Sequence, residues 1–151
     1  MADEATAPSP EDAALQDALA AAHVAVWGYG VVGAALPASG REPADLALVA
    51  HRDDRDRVAA LLDSRGVQPA AARAGYALPF PVLSPVDAAA LAVTLEDGVA
   101  AAWAWVLDQA TERSTRETAV AVLGDAEVRA VAWRSAAGRT PVTTPFPGLS
   151  E

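Results

Sequence analysis

The sequence predicts an all-helical fold, a four-helix bundle made of two antiparallel hairpins joined by one long connection and followed by a proline-rich C-terminal tail. Three observations point there. Alanine and valine dominate a chain that is 52% hydrophobic and only 5% aromatic, a composition suited to helices packed closely on small side chains. Ser9-Pro10 and Ser84-Pro85 each join a capping residue to a proline at a first helical position, and each opens a long apolar-periodic run. The gaps between the four periodic runs are short, long and short, so the neighbours across each short gap must run antiparallel. With 151 residues the chain fits one domain, expected over 9–151 behind a disordered lead of residues 1–8.

The first helix is expected over about 10–35. Ser9 caps it, and Glu11 and Asp12 sit at the positive end of its dipole. Spacing assigns Leu15, Leu19, Ala22, Val26, Gly30 and Gly33 to its inner stripe, with His23 at the edge and the two glycines admitting a neighbouring backbone. Ala18 to Leu36 carries no Asp, Glu, Lys or Arg and approaches the length of a membrane span. Alanine and glycine supply most of its apolarity and basic flanks are missing, so a helix buried in protein is expected and no membrane partner. GYGVVG within it has dinucleotide-loop spacing, but no strand precedes it, so it reads as packing.

The short stretch Leu36 to Glu42 leads to a second helix, about 43–65, whose inward positions are Ala44, Leu48, His51, Arg55, Val58 and Leu62. Residues 66–83 hold three prolines, two glycines and no helical period. Extended, such a segment reaches up to about 60 Å, more than the roughly 35 Å of a 24-residue helix, so it can cross the bundle and join parallel helices. Tyr76, Leu78, Phe80 and Val82 are its expected anchors. The third helix, about 84–109, begins with Ser84, Pro85 and Asp87, and the fourth, about 114–137, with Ser114 as cap and Glu117 as its capping-box acid. Gly138 ends it, and in the tail, 138–151, Phe146 and Leu149 are expected to dock on the bundle.

The chemistry centres on Glu96. It lies in the apolar stripe of the third helix among Ala92, Val93, Val99, Ala100 and Trp103, where an unpaired carboxylate is costly. His51 and Arg55, one turn apart on the second helix, and His23 on the first complete an expected buried polar cluster of His23, His51, Arg55 and Glu96. Short, long and short connections give the ferritin-like topology, whose di-iron members need Glu-x-x-His pairs. None is present: Leu48 stands three residues before His51, and Ala20 three before His23. His23, His51 and Glu96 match a two-histidine, one-carboxylate iron set in composition, but the inward Arg55 would repel a divalent ion, so no metal and no cofactor are expected. Ser9, Ser84 and Ser114 are used as caps, and no catalytic residue is assigned.

A net charge of −9 argues against nucleic-acid partners, the absence of cysteine excludes thiolate chemistry, and the acidic N-terminus is unlike a secretory signal, which places the chain in the cytoplasm. Leu91, Leu95 and Trp105 add apolar surface on other sides of the third helix, to be covered by the connection and tail or by a second subunit. A homodimer through these three residues is the expectation, with a protein partner or a small apolar ligand as further possibilities.

AAAHVAVWGYGVVGA, AHRDDRD, YALPFPV, LEDGVAAAWAW and the terminal PFPGL together resemble a family of small, largely actinobacterial proteins described as a ferritin-like domain of unknown function. The resemblance runs from about Leu15 to Leu149. It implies a ferritin-like bundle and brings no activity, substrate or cofactor. In the family pattern an acid precedes the first histidine, where this chain has Ala22, which weakens a metal site further. The functional expectation is an oligomerising or binding module without catalysis. The alternative is a metal-dependent oxidase or iron-handling protein using non-haem iron or manganese.

Overall fold

Four long helices account for most of the computed structural model, which describes residues 7–149: α1 (Pro10–Ala35), α2 (Glu42–Ser64), α3 (Pro85–Gln109) and α4 (Arg113–Ala136), with a single 3-10 turn at Ala38–Gly40. There is no strand among the described residues. The lead expected over 1–8 falls mostly on residues 1–6, outside the described part.

The helix starts follow local chemistry. Ser9 accepts from the Asp12 amide and Ser84 from the Asp87 amide, each with proline inside the first turn. α4 departs from expectation. It begins at Arg113 behind Glu112, without a side-chain cap, and Glu117 pairs with Arg113 rather than closing a box on Ser114.

α1 and α3 are the central pair. α1 packs against α2 and α3, and α3 packs against α1 and α4. Both are long and apolar enough by length and composition to cross a membrane, and in the bundle they bury one another. The start of α1 meets the end of α2 through Glu11 and Arg65, and meets the α3–α4 turn through Glu11 and Thr111, so α1 runs antiparallel to both α2 and α3. The core forms two clusters. One, around Leu15, Leu19, Leu62, Trp103 and Val106, fills the end where α1 starts. The other, around Tyr29, Val32, Leu91, Val93 and Trp133, fills the opposite half.

The buried residues of α1 include Leu15, Ala18, Ala22, Ala25, Tyr29 and Val32, an alternation of three and four residues that keeps one seam facing its neighbours. The stripe expected through Val26, Gly30 and Gly33 is therefore displaced by one residue beyond Ala22. The close approach is made instead at Gly28, where a Cβ would lie 2.6 Å from Leu95 Cδ1, whereas Gly30 and Gly33 face open space.

The long connection runs beside α1. Gln16 bonds the Gln68 carbonyl and the Ala70 amide, Trp27 meets Tyr76 edge-on at 5.8 Å, and Phe80 and Val82 pack on the second core cluster. The tail is held differently from expectation. Phe146 and Leu149 stay 71% and 66% exposed, and contacts are made by Arg134 with the Val142 carbonyl, by the Thr144 hydroxyl with Glu127 and by Gly148 against the Ala100 backbone. Gly148 has φ +80 and no room for a Cβ, so only glycine suits the position.

Candidate functional site

The four helices converge on one atom. Glu96 Oε1, from α3, accepts from Tyr29 Oη of α1 at 2.5 Å, from His51 Nε2 of α2 at 2.9 Å and from Arg129 Nε of α4 at 2.9 Å. Glu96 and His51 are fully buried and Tyr29 is 1% exposed, while Arg129 keeps 21% of its side-chain surface open. The Tyr29 ring stacks on the His51 imidazole at 5.3 Å and lies 6.2 Å from the Trp133 ring, so apolar surface surrounds the polar contact on two sides.

Burial alone would raise the pKa of Glu96, but hydrogen bonds and charge from His51, then from Arg129, outweigh it and hold the carboxyl below its ordinary value. Glu96 is thus ionised and only accepts, so His51 Nε2 must carry the hydrogen it shares with Glu96. Burial and the Glu96 charge push the Tyr29 phenol upward, which keeps it an O–H donor. Asp54, one turn beyond His51, is half-buried and is also raised by burial, against the opposing charges of Arg57, His51 and Arg129. Three atoms of the cluster, Glu96 Oε2, His51 Nδ1 and Arg129 Nη2, are buried without a hydrogen-bond partner among the described residues. Each such atom costs about 1–3 kcal/mol relative to a satisfied one.

Of the expected polar cluster, the geometry joins Glu96 and His51 and leaves two members out. Arg55 does not reach Glu96; its Nε bonds Asp56 at 2.8 Å and the side chain is 29% exposed. The buried positions of α2 are Ala44, Ala47, His51, Val58 and Leu62, and at roughly 100° per residue Arg55 lies about 45° to one side of their mean direction. His23 stands two turns from the cluster and bonds the Ala70 carbonyl at 2.9 Å, fastening the long connection. Tyr29 and Arg129 take the vacated roles. Arg129 left only a weak sequence signal, a long cation beside the inward stripe of α4, three residues after Ala126 and four before Trp133. Tyr29 was hidden within the glycine-flanked GYGVVG.

The expected interface residues divide as well. Leu91 and Leu95 are 2% and 7% exposed, buried within the chain, with Leu95 against Gly28 of α1 and both residues facing Ala77, Leu78 and Pro79 of the long connection across one cavity. Trp105 alone points outward, at 47%.

A cavity of about 410 Å3 opens next to the cluster, at the end of the bundle where the α1–α2 turn meets the start of α3. Leu36, Pro43, Val86, Ala89 and Trp133 form much of its wall, and Arg129 is its one charged lining residue among the described residues.

A relative of known structure shares this arrangement of helices. A conserved hypothetical protein, Rv2844, from Mycobacterium tuberculosis is 40% identical, superposes with a TM-score of 0.81, and is matched over 83% of this chain and 96% of its own. No curated protein matches the chain. The model of the family described as "Domain of unknown function (DUF4439)" matches residues 14–151, and the chain belongs to that family.

Proposed function

We propose that the chain is a ferritin-like module that acts by binding rather than by catalysis, with Glu96 as the anion of a buried lock between helices. The ferritin-like reading is supported by the order of packing, α2 on α1, α1 on α3 and α3 on α4, with the long connection between the two hairpins. One observation carries the functional reading: Glu96 Oε1 is already engaged by donors from the three other helices, Arg129 among them at 2.9 Å. A divalent ion needs carboxylates and unprotonated imidazoles converging on it. Here a guanidinium stands against the carboxylate, His51 Nε2 points its hydrogen at the same oxygen, and His23 Nε2 is held by Ala70. No group of three His, Cys, Asp or Glu among the described residues is placed to hold a metal.

Elemental analysis of protein purified without added metal tests this, with iron, manganese and zinc each expected far below one ion per chain. One equivalent of any of these that disappears in Glu96→Ala would replace the lock with a metal centre. Under the same proposal Trp105 is the point of contact for a homodimer, and light scattering at micromolar concentration checks it: a monomer mass removes the dimer and leaves the lock untouched.

A further inference from the structure

We propose that the cavity between the α1–α2 turn and the start of α3 binds a small amphipathic carboxylic acid, its hydrocarbon on the apolar wall and its carboxylate on Arg129. The inference rests on the binding-module reading and supplies the ligand class. At about 410 Å3 the cavity falls in the range of small-molecule sites, roughly 300–1,000 Å3. Leu36, Pro43, Val86, Ala89 and Trp133 offer apolar contact, and Arg129 is the only charged group in the lining among the described residues, so the wall favours a molecule that is apolar along its length and anionic at one end.

The cluster behind Arg129 makes that cation available. Arg129 gives Nε to Glu96 and keeps Nη2 buried, while 21% of its side-chain surface stays open and the residue lines the cavity. A guanidinium carries five N–H donors in a planar fork, so one bond to Glu96 leaves capacity for a second carboxylate. Tyr29 and His51 also hold Glu96 Oε1, so the buried acid keeps two donors when Arg129 shares its charge with a ligand. The dipoles of the surrounding helices do not select the charge: α2 and α3 begin at the cavity and α1 and α4 end there, so their partial charges oppose one another. The preference for an anion comes from Arg129.

Calorimetry with decanoate, decanol and decylamine on the full chain tests the assignment. Decanoate is expected to bind, and decanol and decylamine to bind at least about tenfold more weakly for want of the charge-assisted bond. Arg129→Gln should weaken decanoate by about ten- to a hundredfold. Because Arg129→Gln also disturbs the lock, Ala132→Phe serves as the second variant: Ala132 is exposed and lines the cavity, so a phenyl ring there should block decanoate while leaving the denaturant midpoint unchanged. Decanol binding as tightly as decanoate, or decanoate binding undiminished in Ala132→Phe, overturns the proposal. Absence of decanoate binding in a metal-free protein overturns the ligand and leaves the lock standing, whereas a stoichiometric metal overturns the lock itself.

Discussion

Two acids, Glu11 and Glu96, each tie helices together, and they do it in opposite ways. Glu11 sits at the start of α1, 4% exposed, with both oxygens engaged: Oε1 takes Arg65 Nη2 at 2.6 Å, and Oε2 takes the Thr111 amide, the Thr111 hydroxyl and the Glu112 amide. Although burial opposes it, bonds from Thr115, Thr111 and Arg65 hold its pKa down to about 2. Glu96 sits at the centre with three donors on one oxygen and none on the other. The end clamp satisfies its polar atoms with backbone amides, a threonine hydroxyl and an arginine, so these bonds offset the desolvation of Glu11 where it fastens α1, α2 and the α3–α4 turn. The central cluster joins all four helices at one oxygen, and it leaves buried donor and acceptor capacity unused among the described residues. A purely stabilising device resembles the first; under the binding proposal the surplus polarity beside the cavity serves recognition.

The sharpest way to break this comparison is Arg129→Ala. It strips the buried Glu96 of its permanent cation and should cost about 3–5 kcal/mol in denaturant unfolding, whereas Glu96→Gln, which keeps an acceptor, should cost less, on the order of 1–3 kcal/mol. Equal losses in the two variants would mean that Glu96 is not held as an ion.

Acid should act next. Glu11 falls from an ordinary value of 4.5 to about 2 on folding, and Glu96 is lowered as well. A depressed folded pKa contributes stability that is complete above the unfolded value and is lost as pH drops through the folded one. The midpoint should therefore decline between about pH 4.5 and 2, and Glu11→Gln should flatten that decline. An unchanged slope in the variant would place the acid sensitivity elsewhere.

The smallest effect is expected from Arg55→Ala. Its partner Asp56 is 67% exposed, and a pair so open to solvent adds little, so the midpoint should stay where it is.

Much of the architecture was legible because it is local. Ser9, Ser84, the prolines after them and the eighteen proline-rich residues before α3 each act within a few positions, and helices bounded by such signals must bury whatever periodic face they carry. The centre was half legible: Glu96 and His51 were marked by being polar in apolar stripes. Arg129 and Tyr29 were not, for different reasons. The Tyr29 stripe depends on whether α1 steps by three or by four residues after Ala22, which its all-round apolar surface does not decide. Arg129 lies beside its stripe rather than on it, and its long side chain reaches back inward, a freedom that residue spacing does not record. His23 and Arg55 differ in the reverse sense: spacing puts one at the edge of a stripe and the other on it, yet His23 bonds Ala70 and Arg55 bonds Asp56.

The convergence on Glu96 Oε1 also bears on how the chain assembles. The α3–α4 hairpin owns the acceptor and one donor, and the α1–α2 hairpin owns two donors with nothing to receive them. Neither half is complete in its polar chemistry, and two copies of the same half would double its mismatch. Expressed as separate polypeptides, the two halves are therefore expected to pair with each other in preference to themselves, and co-purification of differently tagged halves checks it.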